Sequence, residues 1–196
     1  MPTPPRRTGL FFGSFNPVHV GHMILANFMA TRTDLDEVWM VVSPQNPFKK
    51  QTSLARDHDR LHWVRLAIGD SPGLSASDVE FKLKRPSYTI DTLAVLRERH
   101  PGREFVLIMG GDNLASLPKW KNSDILLRDF DVYVYNRPGA EPGALAEHPR
   151  VTLFEAPLMH LSATYVRGLL AEGKSVRYLV PEAVAEELRR SGAYRS

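Results

Sequence analysis

The sequence predicts an α/β fold, because short apolar runs alternate along the chain with segments of helical periodicity. The candidate strands are residues 8–13, 37–43, 74–81, 104–109, 131–135 and 151–155. Between them, apolar side chains recur three and four residues apart, as they do in helices that pack one face on a sheet. Strands that are joined through helices form mainly parallel sheets with helices on both faces. We therefore expect a Rossmann-like, doubly wound sheet.

The predicted helices have recognisable beginnings and ends. Asn16 is suited to cap the first helix, and Pro17 fits a first helical position. Helical spacing of apolar residues then continues over residues 19–31. Pro181 opens a terminal helix that Gly192 closes. The other helices are expected at residues 54–68, at residues 87–100, in a short stretch interrupted by Pro118, from near Asn122, and at residues 162–171.

Composition favours one globular domain. Of the 196 residues, 43% are apolar and 24% are charged. We expect a single domain over residues 1–196, with a flexible tail at residues 1–7 and a helical C-terminal part at residues 160–196. No apolar run approaches the roughly 20 residues that cross a bilayer, and no secretory signal is evident. The absence of cysteine excludes disulfides and thiolate chemistry. A cytoplasmic protein without a membrane partner is expected.

The charge pattern argues against a nucleic-acid partner. The net charge of +3 is spread along the chain, without a stripe of Lys and Arg with interleaved aromatic residues. A small anionic substrate, which needs only a few local cations, is therefore favoured. A homo-oligomer is compatible with the sequence.

The first predicted strand runs into a turn that is suited to phosphate. From residue 13 it reads Gly-Ser-Phe-Asn-Pro-Val-His-Val-Gly-His. Gly13 lacks a Cβ, so a ligand can approach the backbone, and Ser14 and Phe15 can present N–H groups at a helix start. His19 and His22 are three residues apart and face the same way. Two imidazoles beside a phosphate cradle can stabilise the charge of phosphoryl transfer.

Metal ligation is a weaker interpretation of the two histidines. The metalloprotease pattern needs a glutamate beside the first histidine, and Val20 stands there instead. We therefore predict no metal ligand from the protein. Gly21, between the histidines, leaves room for a ligand or for a packed backbone.

A second polar helix start lies near the C-terminus. Ser162 is suited to cap this helix, and the hydroxyl of Thr164 lies in its first turn. Arg167 follows at the end of the next turn, where its guanidinium can bind two phosphate oxygens at once. Alone, this pattern is that of an ordinary capped helix. Together with the first turn, it indicates a second phosphate-binding element.

Both motifs resemble those of a nucleotidyltransferase superfamily, which includes the nicotinate and nicotinamide mononucleotide adenylyltransferases and pantetheine-phosphate adenylyltransferase. The first family motif is Gly-x-Phe-Asp-Pro-x-His-x-Gly-His, and this chain has Asn16 in place of the Asp. The second, Ile-Ser-Ser-Thr-x-Ile-Arg, is similar to residues 161–167, where Ala163 replaces a Ser. The resemblance covers roughly residues 9–194.

The resemblance implies transfer of AMP from ATP to a mononucleotide, with Mg²⁺ held by the substrate phosphates. The catalytic residues would be His19, His22 and Arg167. The implied ATP-binding residues are Gly13, Ser14, Phe15, Lys49, Lys50, Gly110, Asp112, Arg137, Ser162 and Thr164. Lys49 or Lys50 would neutralise the triphosphate from a loop, and Asp112 would contact the ribose.

Two further segments resemble those that hold the pyridine ring in the pyridine-nucleotide members. They are Pro-Ser-Tyr-Thr at residues 86–89 and Leu-Pro-Lys-Trp at residues 117–120. The expected mononucleotide contacts are Ser87, Tyr88, Thr89 and Trp120. Nicotinate mononucleotide is the expected acceptor, and nicotinamide mononucleotide and phosphopantetheine are alternatives.

Other functions fit less well. A dehydrogenase would share the fold, but it needs Gly-x-Gly-x-x-Gly after the first strand, and residues 13–18 do not match. A non-catalytic nucleotide sensor stays open as an alternative. Class I aminoacyl-tRNA synthetases have a similar histidine turn, but this chain is too short for their added domains.

Overall fold

Six strands form one parallel sheet. The computed structural model describes residues 5–44, 54–135, 143–157 and 159–195. The strands are β1 (Arg6–Gly13), β2 (Glu37–Val42), β3 (Leu74–Ser77), β4 (Arg103–Gly110), β5 (Asp131–Tyr135) and β6 (Val151–Phe154). Their order is β3-β2-β1-β4-β5-β6, and every neighbouring pair is parallel. This confirms the predicted Rossmann-like fold, with a sheet that is wholly parallel in the described residues.

The helices lie on both faces of this sheet. They are α1 (Val20–Arg32), α2 (Asp57–Ile68), α3 (Thr89–Arg99), α4 (Gly111–Ser116), α5 (Ser123–Asp129), α6 (Ala163–Ala171) and α7 (Glu182–Ser191). Short 3₁₀ turns occur at Val79–Lys82, Leu117–Lys119 and Ala144–Glu147. Within the described ranges, no helix has the length and apolar character that a membrane span requires.

The sheet separates two hydrophobic cores, because successive side chains of a strand point to opposite faces. In β1, Phe11 belongs to one core and Leu10 to the other. The Phe11 core is closed by α1, α2, α6 and α7, through Met29, Val64, Val166 and Leu188. The Leu10 core is closed by α3, α4 and α5, through Leu93, Leu114 and Leu126.

Two strand predictions need correction. β1 begins at Arg6, so Arg6 and Arg7 are in the sheet and not in the expected tail. The backbone N–H of Arg7 donates to Oδ2 of Asp36 at 2.6 Å, and this bond holds the first residues of the strand in place. β3 ends at Ser77, and the 3₁₀ turn that follows buries two adjacent side chains, Val79 and Glu80. A strand buries alternate residues, so the apparent alternation beyond Ser77 was misleading.

The predicted cap of α1 is also wrong. The helix begins at Val20 with His19 as its N-cap, and Pro17 lies in the preceding turn. Asn16 is buried, and its Oδ1 accepts hydrogen bonds from the backbone N–H of Ala55 at 3.0 Å and from the hydroxyl of Tyr194. Burial raises the pKa of Tyr194, so its hydroxyl keeps the proton that it donates. Asn16 thus joins distant segments instead of capping a helix.

Candidate active site

The polar residues singled out from the sequence collect where strands β1 and β4 end. β1 pairs with both β2 and β4, so the chain winds away from this point in two directions. In parallel sheets of this kind, ligands bind outside the carboxyl ends of the strands at such a switch point. Gly13 ends β1 and Gly110 ends β4. The predicted phosphate turn therefore lies where this fold is able to bind a ligand.

Two glycines of the first turn make room for neighbouring rings. A Cβ on Gly13 would lie 2.7 Å from the ring of Phe15, and one on Gly21 would lie 3.1 Å from Nδ1 of His19. Phe15 is only 1% exposed and has a positive φ of 44°. The packing of the turn itself thus favours glycine at both positions, and more strongly at Gly13. A direct contact of Gly13 with a ligand stays a prediction.

The two histidines stack on each other. Their ring centroids are 3.6 Å apart, with an interplanar angle of 26°. The backbone N–H of His19 donates to Nδ1 of His22 at 3.2 Å. A ring nitrogen that accepts a hydrogen bond carries no proton, so neutral His22 has its proton on Nε2. The ring of Phe15 packs edge-on against His22 at 5.0 Å between centroids. These contacts fix the orientation of His22 and make Nε2–H its donor.

Helix α6 brings the second motif to the first turn. Ser162 caps α6 as predicted, since its hydroxyl accepts from the N–H of Tyr165 at 3.2 Å. The Arg167 guanidinium donates to the carbonyl of Asn16 at 2.7 Å and to the hydroxyl of Thr164 at 3.3 Å. Because a guanidinium has several N–H donors, these two bonds leave it able to bind an anion as well.

The end of β4 places a carboxylate at the same edge. Asp112 lies in the first turn of α4 and is exposed. A Cβ on Gly110 would approach Oδ1 of Asp112 to 2.7 Å, so glycine is needed for the position of this carboxylate. An acceptor here is suited to a sugar hydroxyl, as the resemblance implies.

One cavity joins the first turn to the segments predicted to hold the second substrate. It has a volume of about 160 Å³. Its lining includes Gly13, Ser14, Ser87, Tyr88, Thr89 and Trp120. Ligand pockets are commonly about 300–1,000 Å³, so this cavity has room for the ring end of a nucleotide and not for the whole molecule. The structure thus brings together all four predicted mononucleotide contacts and two predicted ATP contacts.

Comparison with known proteins agrees with this arrangement. A model of the cytidylyltransferase-like family matches residues 10–169. The chain belongs to this family. A probable nicotinate-nucleotide adenylyltransferase of Cytophaga hutchinsonii is 53% identical over 97% of this chain and 98% of that protein. One from Flavobacterium johnsoniae is 46% identical over 96% of this chain and 99% of that protein.

Solved structures show the same fold. The Plasmodium falciparum nicotinic acid mononucleotide adenylyltransferase complexed with NaAD has a TM-score of 0.80 at 18% identity, covering 96% of this chain and 97% of that one. A putative nicotinate-nucleotide adenylyltransferase from Vibrio parahaemolyticus has a TM-score of 0.71 at 20% identity, covering 97% and 96%. The sequence-based assignment to the mononucleotide adenylyltransferases is confirmed.

Glu80 also lines the cavity described above, and this could not be predicted from the sequence. It is 3% exposed, and the Thr92 hydroxyl donates to its Oε1 at 2.8 Å. The hydroxyls of Ser43 and Ser87 also bond to the carboxyl group. Burial raises the pKa of Glu80 above its ordinary value, although the three hydroxyl bonds oppose the rise. The only sequence signal was an acid between apolar Val79 and Phe81.

Arg60 is a second residue that the sequence did not reveal. Its side chain is fully buried and donates to the carbonyl of Ser14 at 2.5 Å, to the carbonyl of Ser43 at 2.8 Å and to Oδ1 of Asp57 at 2.7 Å. It thereby ties the ends of β1 and β2 to α2. Arg60 stands four residues before Val64 and so belongs to the predicted apolar face.

Three predicted ATP contacts are not placed by the structure. Lys49, Lys50 and Arg137 lie outside the described residues. Their roles stay predictions.

Proposed function

We propose that this protein transfers AMP from ATP to nicotinate mononucleotide, giving nicotinate adenine dinucleotide and pyrophosphate. The observation that carries the proposal is the single cavity that joins the Gly13–Ser14 turn to Tyr88 and Trp120. A phosphate oxygen of the mononucleotide attacks the α-phosphorus of ATP, and the bond from this phosphorus to the bridging oxygen of pyrophosphate breaks. The enzyme forms no covalent intermediate, so its contribution is placement and charge stabilisation.

The first turn supplies the charge stabilisation. Nε2–H of His22 and the backbone N–H groups of Ser14 and Phe15 donate to the ATP phosphates. His19 holds His22 through the ring stack and the backbone hydrogen bond. Donors that are fixed before the reaction stabilise developing charge without reorganisation. Arg167 adds a cation from α6, where its bond to the Asn16 carbonyl keeps it beside the turn.

ATP is oriented by groups around its ribose and along its phosphates. Asp112 accepts from a ribose hydroxyl, and the hydroxyls of Ser162 and Thr164 donate to phosphate oxygens. Lys49, Lys50 and Arg137 supply further positive charge. Mg²⁺ would be held by substrate oxygens and water, and it would neutralise part of the phosphate charge.

The start of α3 favours a ring that carries a carboxylate. This helix of 11 residues begins at Thr89, and no side chain caps it. The N–H groups of its first turn therefore attract an anion, strengthened by the helix dipole. Trp120 offers a flat face to the pyridine ring, and Ser87 and Tyr88 complete the wall of the cavity. This arrangement supports nicotinate over nicotinamide as the ring.

The proposal is tested by incubating the purified protein with ATP, Mg²⁺ and each acceptor in turn. Nicotinate mononucleotide should give the dinucleotide and pyrophosphate, and nicotinamide mononucleotide should be used less efficiently. Phosphopantetheine should give no product. Turnover of phosphopantetheine alone would contradict the assignment. Tight binding of ATP without any product would favour the non-catalytic sensor instead.

A further inference from the structure

A fully buried cation lies directly behind the first turn. Among the described residues, Arg60 is the only charged residue with a relative exposure of 0%. One of its terminal nitrogens, Nη1, bonds to two carbonyls, Ser14 at the end of β1 and Ser43 after β2. Its other donors reach the carbonyl of Ala55 at 3.0 Å and the carboxylate of Asp57 at 2.7 Å. The guanidinium therefore fixes backbone from three separate segments.

The bond to Ser14 determines where the next N–H points. The peptide bond between Ser14 and Phe15 is trans, since the cis bonds of the described chain precede Pro17 and Pro86. In a trans peptide, the C=O and the N–H point in opposite directions. Because Arg60 holds the Ser14 carbonyl, the Phe15 N–H points away from Arg60. Among the described residues, this N–H has no hydrogen-bond partner.

The backbone at this point needs an external constraint. Phe15 has a φ of 44°, in the left-handed region that residues with a Cβ seldom occupy. The buried bonds of Arg60 hold the chain in this conformation, together with the packing of the Phe15 ring under Gly13. Lysine could not replace all of these bonds, because a single ammonium cannot occupy the positions of Nε, Nη1 and Nη2 at once.

We propose that Arg60 is a positioning residue that aims the Phe15 N–H at a phosphate oxygen of bound ATP. It does not touch the substrate itself. The inference rests on the proposed function, in which the first turn binds the ATP phosphates. It explains why a cation occupies the apolar face of α2, and Asp57, held in turn by Arg85 at 2.6 Å, keeps the guanidinium in place.

The test uses binding of the non-hydrolysable analogue α,β-methylene ATP with Mg²⁺, and not turnover. The chain is labelled with ¹⁵N-phenylalanine, which gives nine backbone amide signals. In the unaltered protein, the Phe15 signal should shift downfield when the analogue binds. In Arg60→Lys, this shift should be lost, and the dissociation constant of the analogue should rise about tenfold. Arg65→Lys, an exposed position on the same helix, is the matched control and should behave as the unaltered protein.

Several outcomes would overturn the proposal. A Phe15 signal that does not move in the unaltered protein would show that this N–H does not meet phosphate. A folded Arg60→Lys with unchanged affinity and an unchanged Phe15 shift would show that Arg60 is not needed. If Arg60→Lys does not fold, Asp57→Asn keeps the guanidinium without its anionic anchor. This variant should weaken binding about threefold, and unaltered binding would count against the proposal. Analogue binding without dinucleotide synthesis would refute only the proposed function.

Discussion

The two edges of the sheet use charge in opposite ways. At the edge where the strands begin, charged side chains satisfy one another. Arg7 pairs with Asp34, with Glu104 at 3.3 Å and with Asp131 at 2.7 Å. Such partly buried networks hold neighbouring strands together, and removal of one member leaves its partners uncompensated. We infer that this edge serves stability.

At the edge where the strands end, arginines bond to backbone carbonyls as well as to a carboxylate, that of Asp57. Arg60 donates to the carbonyl of Ser14, and Arg167 donates to the carbonyl of Asn16. These bonds fix the shape of the turn and leave positive charge close to it. The same residue type, arginine, thus stabilises the fold at one edge and prepares an anion site at the other.

The sharpest test of this comparison is His22→Ala. Loss of a donor that stabilises transferring charge should lower kcat about 10²–10³-fold, with little change in the free energy of unfolding. His148→Ala, which lies at the opposite edge before β6, is the control and should leave kcat unchanged. Turnover near that of the unaltered protein would remove His22 from the mechanism. Steady-state kinetics and urea unfolding measure both quantities.

The reverse pattern is expected for Arg7→Met. Three carboxylates lose their shared partner, so the free energy of unfolding should fall by about 1–3 kcal/mol, with kcat unchanged. Arg6→Met is the control, because Arg6 is more exposed and lies 4.0 Å from Glu37. A fall in kcat without loss of stability would contradict the division between the edges. Urea unfolding followed by circular dichroism provides the measurement.

A smaller effect is expected for the acceptor side of the site. Trp120→Leu removes a stacking face and should raise the KM for nicotinate mononucleotide about three- to tenfold, while the KM for ATP stays the same. Trp39→Leu is the matched control. Trp39 packs against Arg103 at 5.0 Å and should affect stability alone. An equal rise in both KM values for Trp120→Leu would show general loosening instead of loss of ring binding.

The smallest effects concern two carboxyl groups, Asp34 and Glu80, whose pKa values are shifted in opposite directions. Burial by itself would raise the pKa of Asp34. The hydrogen bond from Tyr133 and the charge of Arg7 outweigh burial and lower this pKa below 3.8. The contribution of Asp34 to stability is present above pH 3.8 and is lost as the pH falls through the lowered pKa. Burial raises the pKa of Glu80 above 4.5. The contribution of Glu80 to stability is therefore present below pH 4.5 and is lost as the pH rises through the raised pKa.

Two isosteric variants separate these contributions. The stability deficit of Asp34→Asn should shrink as the pH is lowered from 6 towards about 3, and that of Glu80→Gln should shrink as the pH is raised from about 4.5. Unfolding measured over this pH series provides the comparison. Deficits that run parallel with pH would show that the two carboxyls do not differ in this way.

The fold could be predicted because buried parallel strands leave a strong signal. A strand covered on both faces is a continuous apolar run, and five of the six candidate runs closely match observed strands. The candidate over residues 74–81 failed beyond Ser77, since a 3₁₀ turn can bury the neighbours Val79 and Glu80 together. Local pattern could not distinguish that turn from a longer strand.

The site could be predicted only where its signal is local. The turn from Gly13 to His22 and the cap at Ser162 are contiguous motifs, and the structure brings them together. The partners of Asn16 could not be foreseen, because Tyr194 lies 178 residues away. Arg60 was hidden for a related reason. An arginine on an apolar helix face usually extends its charge to water, and only the fold shows that this one is enclosed.

The most direct test of the central claim is a crystal structure of the protein with nicotinate adenine dinucleotide bound. The pyridine ring is expected against Trp120, with its carboxylate at the N–H groups of Thr89 and Ile90, and the diphosphate is expected beside Nε2 of His22. A dinucleotide bound with its pyridine ring outside this cavity, or with its diphosphate away from the first turn, would contradict the proposed function.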